Sequence, residues 1–530
     1  MALLTDLYQV TMAYGYWRAG RHRAPAAAEL LFRRCPFGGA FALSAGLAEA
    51  LRFLRAFRFS AADIAYLRSV LPSTTEEAFF EYLSTVDASE VTVSSVPEGS
   101  VVFSRVPLLQ VKGPLLVVQL LETTLLCLVS YASLVATNAA RFRLLAGPTT
   151  KLMELGLRRA QGPDGGLSAS KYSYIGGERS PAERLSPAPP ASSPSASLAA
   201  GFDCTSNVLA GKLYGIPVQG TVAHSFIMSF TSLAEVEPRV LAPAAGGEPV
   251  DLPSLAESWL PRVCELLQVS PGKVNRGELA AFVSYAVSFP RNFQGLLDTY
   301  CVMRSGLPNF CAVALALNEL GYRAMGVRLD SGDLAQQSKE IRRAFRACGA
   351  HFQVPWFETI SIVVSNDISE RSLEDFIREG SDIDVLGIGT NLVTCPLQPS
   401  LGCVYKLVKV NDSPCLKLTE DEEKMTIPGV KRVYRLYDAA SHPFMDLMTL
   451  EEEPSPSADQ ELTVHVLGQN GEARKVKAAA VEALHRTYFK DGQVCAALPS
   501  LPQVRSNAQA ALGRLSPQHQ RLRQPEPYPV

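Results

Sequence analysis

The chain has 530 residues, too many for one ordinary core, so two or three domains are expected. With 47% hydrophobic and 19% charged residues it reads as a globular protein, and a net charge of −2 excludes a broadly basic face for nucleic acid. Its 11 cysteines are scattered, odd in number and without a Cys-x-x-Cys pair, which argues against a disulfide framework or structural zinc and makes a reducing, cytosolic compartment the expectation.

The start, "MALLTDLYQV", lacks a basic region followed by a long apolar run, so no secretory signal is expected. Leu7, Val10, Met12 and Tyr14 follow helical spacing, and Gly20 closes that helix. Residues 90–113 alternate around a Pro-Glu-Gly turn and read as a hairpin or meander. A long apolar helix is expected over about 116–145. It is long enough to span a bilayer, but Gln119, Glu122, Thr123 and Thr124 fall near the middle of its apolar stretch. A carboxylate at bilayer centre costs about 2.5–3.5 kcal/mol, so a buried helix of a soluble protein fits better. A second helix is expected over about 149–160.

Residues 178–200, "ERSPAERLSPAPPASSPSASLAA", carry no aromatic residue and are dominated by Pro, Ser and Ala. Such a segment cannot offset its ordering entropy and is expected to be disordered. Beyond it, strand–loop–helix units repeat. Strands are expected at 216–224, 322–330, 361–367 and 383–390, with helices at 308–321, 334–349 and 369–380. Gly321 stands at a helix-stopping position, and Ser331 or Asp333 is a natural N-cap. Alternation of this kind indicates a parallel sheet, open or closed into a barrel. After about 395 the chain returns to short strands, a separate β-rich layer.

The strand ends carry the unusual residues: "GTVAHS", "GVRLDSGD", "VVSND" and "GIGT". In parallel α/β proteins ligands lie at the C-terminal ends of the strands. One rim would therefore present His224, Arg328, Asp330, Asp333, Asn366, Gly387, Gly389 and Thr390. Each has a structural alternative. A histidine can be a hydrogen-bonded core residue, and Arg328 and Asp330 can be an internal ion pair. Read functionally, Arg328 offers a planar fork for a carboxylate or phosphate, beside an acid for a sugar hydroxyl or a metal. Small residues at 387 and 389 would let backbone N–H groups approach phosphate oxygens, with Thr390 adding a hydroxyl. Arg158 and Arg159 can complement a helix dipole.

Several longer stretches go together: "LLTDLYQ" (3–9), "FRRCPFGGAFALSAGL" (32–47), "GLRRAQGPDGG" (156–166), "GTVAHSF", "GVRLDSGDL" and "GIGTNLVTCPLQPSLGCVYKLV". With the apolar run at 115–141, they resemble the nicotinate phosphoribosyltransferases of the vertebrate type, from residue 3 to about 525 outside 178–200. The resemblance implies an irregular parallel α/β barrel packed on a discontinuous β-rich sandwich domain formed by both chain ends. The corresponding boundaries are 1–130, 131–394 and 395–530. It implies a head-to-tail homodimer with shared active sites, without nucleic acid or membrane partners.

The implied reaction converts nicotinate and 5-phosphoribosyl 1-diphosphate to nicotinate mononucleotide and diphosphate. Mg²⁺ (or Mn²⁺) is the implied cofactor, its ligands unassigned, and ATP the co-substrate, hydrolysed through a phosphohistidine at His224. Arg328 would pair the nicotinate carboxylate, with Thr221 and Tyr8 completing the pocket, Tyr8 from the other subunit. Asp330 would hold the ribose or help place the metal. Arg158, Asn366, Gly387, Gly389 and Thr390 would meet the phosphates of the sugar substrate. Ser206 lies where sister enzymes for nicotinamide carry an acid, and a neutral residue there favours nicotinate over nicotinamide.

The family pattern runs uninterrupted where 178–200 stand, and it has a longer start and a further C-terminal helix. The shorter ends are expected to weaken dimerisation. The insert could loop out harmlessly, wedge the pocket open to leave an impaired binding or scaffold variant, or come from a retained intron.

Overall fold

The strand–loop–helix repeats build a six-stranded parallel sheet in the computed structural model, which describes residues 2–175, 201–421, 424–467 and 473–530. The segment expected to be disordered, 178–200, lies outside the described residues. The strands are β1 (Lys151–Glu154), β2 (Cys204–Thr205), β3 (Gln294–Leu296), β4 (Gly326–Leu329), β5 (Ser361–Val364) and β6 (Val385–Ile388). Their order is β3-β4-β5-β6-β1-β2, with every pair parallel. A single parallel bridge from Thr205 to Val218 extends the sheet at β2, and among the described residues no ladder joins that end to β3.

This sheet belongs to a compact unit of residues 145–170 and 202–393. Its helices form where their caps allow. The Asp333 side chain accepts from the Gln336 N–H to open Leu334–His351, and a reciprocal Ser369–Ser372 box opens Glu370–Arg378. Gly321, at φ 79°, follows helix Leu307–Glu319, whose residues 307–317 are all buried. A helix apolar on every side in this way is a core helix.

Two expectations about this region are corrected. Residues 149–160 are not a helix but β1 followed by a 3-10 turn at Leu157–Arg159. Sheet pairing on both sides, to β6 and β2, outweighs the local helical pattern. Residues 216–224 are not a strand: only Val218 makes a bridge, because Pro217 has no N–H to donate and Gly215 turns at φ 69°. His224 therefore opens a short helix, His224–Met228, instead of ending a strand.

The second unit comprises 1–144, 171–201 and 394–530. Its antiparallel seven-stranded sheet runs Ser413–Pro414, Cys403–Val410, Pro25–Phe32, Leu109–Pro114, Thr92–Ser95, Arg486–Lys490, Gln493–Val494, interleaving both chain ends as expected. Thr92–Ser95 and Leu109–Pro114 pair as the meander read at 90–113. A smaller sheet of Pro443–Leu450, Lys431–Tyr437 and Ala480–Ala483 is held by a buried fork, Arg435 donating to both oxygens of Asp446 at 2.8 and 2.7 Å. The long apolar stretch forms helices Leu115–Leu120 and Glu122–Ala146; the second is long and apolar enough to cross a bilayer, and 67% of its most apolar window is buried in the protein.

Candidate active site

Just past β3 stand Asp298 and Thr299, two residues the sequence reading did not single out. His224 Nδ1 lies 3.0 Å from Thr299 Oγ1. Its other ring nitrogen, Nε2, lies 3.7 Å from Asp330 Oδ2 and 3.9 Å from Asp298 Oδ1. The imidazole is 36% exposed, so it is a reachable ring fixed at one nitrogen and facing two carboxylates with the other. "FQGLLDTY" (293–300) ends in an Asp after an apolar run, as "GVRLDSGD" does, and that parallel was the available signal.

Asp298 is 2% exposed in its side chain. The Asp330 N–H and the Ser331 hydroxyl donate to its Oδ2 at 2.8 and 2.6 Å, tying the ends of β3 and β4 together. Its Oδ1 is buried and has no hydrogen-bond partner among the described residues. Ser365, just beyond β5, donates to Asp330 Oδ1 at 2.6 Å and accepts from Arg328 Nε at 3.0 Å. Arg328 Nη2 is 3.6 Å from Asp330 Oδ1, so the internal ion pair does form. It occupies only part of the guanidinium fork.

Arg328 also lines a cavity of about 610 Å³, together with Thr221, Tyr285, Phe289, Gln294 and Val363. Thr221 Oγ1 is buried there without a partner among the described residues. An aromatic and aliphatic wall with one guanidinium and one unsatisfied hydroxyl suits a flat ring carrying an anion.

The β1 and β6 ends lie side by side, with the Leu155 N–H donating to Ile388 O at 2.9 Å. Gly156 makes this approach possible: a Cβ there would meet Val393 Cγ1 at 2.2 Å. A Cβ at Gly387 would meet Leu155 Cδ1 at 2.5 Å, so a side chain there would displace the end of Leu155. Gly389 and Thr390 follow, and Thr390 begins the short helix Thr390–Thr394. Arg158 is exposed in the turn after β1. Asn366 and Asp367 both take positive φ, 108° and 48°, and Asn391 Nδ2 donates to Asp367 Oδ1 at 2.9 Å. Backbone in that region is costly for residues with a Cβ and concentrates at functional loops.

Ser206 is half-buried after β2, and its N–H donates to the Glu154 carbonyl at 3.0 Å. The buried Glu154 carboxylate, also missed in the sequence, gathers this corner. It accepts from the Gly156 N–H at 2.5 Å, from the Ser170 hydroxyl at 2.8 Å and from the Thr205 hydroxyl.

Tyr8 belongs to the other unit, where it is 48% exposed on helix Leu7–Arg18. That unit carries a separate cavity lined by Arg33, Arg105 and Lys406. Neither Arg33 nor Arg105 has a carboxylate partner among the described residues. Burial, and then repulsion from Arg33, holds the Lys406 ammonium below its ordinary pKa. Among the described residues no group of three or more His, Cys, Asp or Glu could by itself hold a metal ion.

Comparison with known proteins is consistent along the whole chain. Residues 3–130 match the model of the nicotinate phosphoribosyltransferase N-terminal domain, and residues 430–530 match that of its C-terminal domain. The chain is 60% identical to the Homo sapiens nicotinate phosphoribosyltransferase, covering 100% of this chain and 94% of that one. It is 46% identical to the Caenorhabditis elegans protein of the same name, covering 100% and 90%. The crystal structure of human nicotinic acid phosphoribosyltransferase superposes with a TM-score of 0.87 at 57% identity, over 100% of this chain and 97% of that one. A Pyrococcus furiosus nicotinate-nucleotide pyrophosphorylase shares the fold, with a TM-score of 0.59 at 16% identity over 96% and 94% of the two chains.

Proposed function

This chain belongs to the nicotinate phosphoribosyltransferase family, and we propose that it joins nicotinate to 5-phosphoribosyl 1-diphosphate while hydrolysing ATP through a phosphohistidine at His224. The pyridine nitrogen of nicotinate attacks C1 of the ribose, the C1–oxygen bond breaks, and diphosphate leaves. The products are nicotinate mononucleotide, a precursor of NAD, and diphosphate.

The observation that carries this reading is the juxtaposition of His224 Nε2, two carboxylates and a cavity bearing Arg328 and the unpartnered Thr221 hydroxyl. Arg328 and Thr221 would orient the nicotinate carboxylate, with Tyr8 of a second copy completing the pocket. Orientation matters because positioning accounts for much of the barrier lowering when the protein does little covalent work. Ser206 adds no charge to oppose the carboxylate. Arg158, Asn366, Gly387, Gly389 and Thr390 would take the phosphate end of the sugar. With Nδ1–H donating to Thr299 Oγ1, Nε2 would carry the lone pair and attack the ATP γ-phosphate, the β–γ P–O bond breaking to release ADP; water then cleaves the P–N bond and releases phosphate.

Mg²⁺ (or Mn²⁺) fits the donor set. Divalent magnesium is commonly held by one or two carboxylates plus substrate phosphates, and Asp298 offers a buried, unpartnered oxygen beside Asp330. Asp298 and Asp330 would hold it, and when bound it neutralises charge on the diphosphate.

Beside two acids, Arg158 and the partly engaged Arg328 leave a polyanionic substrate short of cations. The cations of Arg33, Arg105 and Lys406 lie in the other unit, which supports a homodimer in which a second copy supplies them. Among the described residues none of the eleven cysteines forms a disulfide, in keeping with the cytosol.

Purified protein with nicotinate, 5-phosphoribosyl 1-diphosphate and Mg²⁺ is expected to yield the mononucleotide, faster with ATP. His224→Ala should abolish the ATP stimulation and lower turnover while the fold survives by circular dichroism. Absence of product with or without ATP would overturn the assignment. If product then appears on deleting 178–200, the impaired-variant reading replaces it.

A further inference from the structure

We propose that Glu278 is a positioning residue for the phosphoryl-accepting histidine, acting through the turn that follows Asp298 and Thr299. The proposal rests on the reading of His224 as phosphoryl acceptor.

Glu278 is fully buried in the first turn of helix Arg276–Ser288. The Ser305 hydroxyl donates to its Oε2 at 2.5 Å, and Asn309 Nδ2 donates to the same oxygen at 3.1 Å. Ser305 Oγ in turn accepts from the Asn275 N–H at 2.8 Å, and Asn309 Nδ2 also reaches the Asn275 carbonyl at 3.0 Å. Three polar side chains and the Asn275 backbone thus form one buried network, in which Glu278 Oε1 and Asn309 Oδ1 have no partner among the described residues. The bonds this network does make hold its members in place, since breaking one in a dry interior is costly.

What it holds is a π-helical turn, Val302–Gly306, a geometry concentrated at functional sites. The turn is seated from both sides. Ser305 is fixed by Glu278, and Gly306 lies so close to Leu297 that a Cβ there would meet the Leu297 carbonyl oxygen at 2.1 Å. Between those anchors the chain has little freedom, and it carries Asp298 and Thr299, two of the residues facing His224. Glu278 itself touches neither the histidine nor the cavity lining described above. Its carboxyl is raised to about 7, by burial first, against the hydrogen bonds from Ser305 and Asn309, with the Asp298 charge adding to the rise. Both donors meet the same oxygen, Oε2, which the carbonyl of an amide of the same shape can supply.

The test uses the full-length enzyme and four readouts: acid-labile phosphoenzyme formed from ATP, mononucleotide formation with and without ATP, the KM for nicotinate, and circular dichroism. Glu278→Ala is expected to lower the rate of phosphoenzyme formation and the ATP stimulation by about tenfold or more, since misplacement of about 1 Å can cost a hundredfold. The KM for nicotinate should stay within about twofold, and Glu278→Gln should restore phosphoenzyme formation to within about threefold of the parent. Ser305→Ala, which removes the donor to Glu278 and the acceptor of the Asn275 N–H but no carboxyl, should show the same selective loss if Glu278→Ala does not fold. A parallel fall of rates with and without ATP, or unchanged phosphoenzyme formation in Ser305→Ala, would overturn the positioning role alone. If the parent enzyme forms no phosphoenzyme, the histidine reading falls, and this proposal with it.

Discussion

At the scale of single residues, the site works by leaving polar atoms incompletely satisfied. Arg328 spends Nε on Ser365 and Nη2 on Asp330, and the rest of its fork faces the cavity. Arg328→Gln should raise the KM for nicotinate by about 10- to 100-fold, the value of a lost charge-assisted hydrogen bond, with a smaller change in kcat; steady-state kinetics measures this. Glu278 sets a pH dependence of stability. Its folded-state pKa lies above its ordinary 4.5, near 7, so the native state favours the protonated form. That contribution is complete below about pH 4.5 and is lost as pH rises through about 7, on the order of 3 kcal/mol in all. Thermal unfolding from pH 5 to 8 should show this decline in the parent and a flatter profile in Glu278→Gln.

Elements decide what such residues can reach. The turn Val302–Gly306 depends on glycine at 306, where a methyl group would meet the Leu297 carbonyl. Gly306→Ala should destabilise the protein by about 1–3 kcal/mol through overpacking and displace Asp298, readable as a lowered Tm and reduced phosphoenzyme formation. Element type was legible where local signals agree with packing. Helix Leu334–His351 starts at the Asp333 cap, and β4, β5 and β6 fall inside the apolar runs that suggested them. It was not legible where they disagree. Residues 149–160 have a helical pattern, yet a strand at 151–154 is imposed by ladders on both flanks. "IPVQGTVAH" has strand composition, yet Pro217 and the turn at Gly215 leave one bridge and put His224 at a helix start. The histidine still reaches the β4 rim, so its grouping with Asp330 held although its element did not.

For the molecule as a whole, the division of charge makes a prediction. One unit carries the acids around His224, the other Arg33 and Arg105, which have no carboxylate partner among the described residues. If two copies share each site, Arg33→Ala and His224→Ala should each lack ATP-stimulated turnover alone. Mixed after dissociation and reassociation, they should recover it, because each heterodimer carries one intact site. Sedimentation should show a dimer, and activity that never returns on mixing would exclude sharing. By itself the sequence determined the family, the parallel α/β core, the sandwich built from both chain ends, and the strand-end residues Arg328 and Asp330. These follow from local periodicity and from long specific motifs. Only the tertiary structure decided that Asp298 and Thr299 face His224, that Ser365 joins Arg328 to Asp330, and that Glu278 sits behind them. Those residues are about 20 to 75 positions apart in the chain, and their meeting depends on which strands neighbour one another in the sheet, an order that no local pattern encodes.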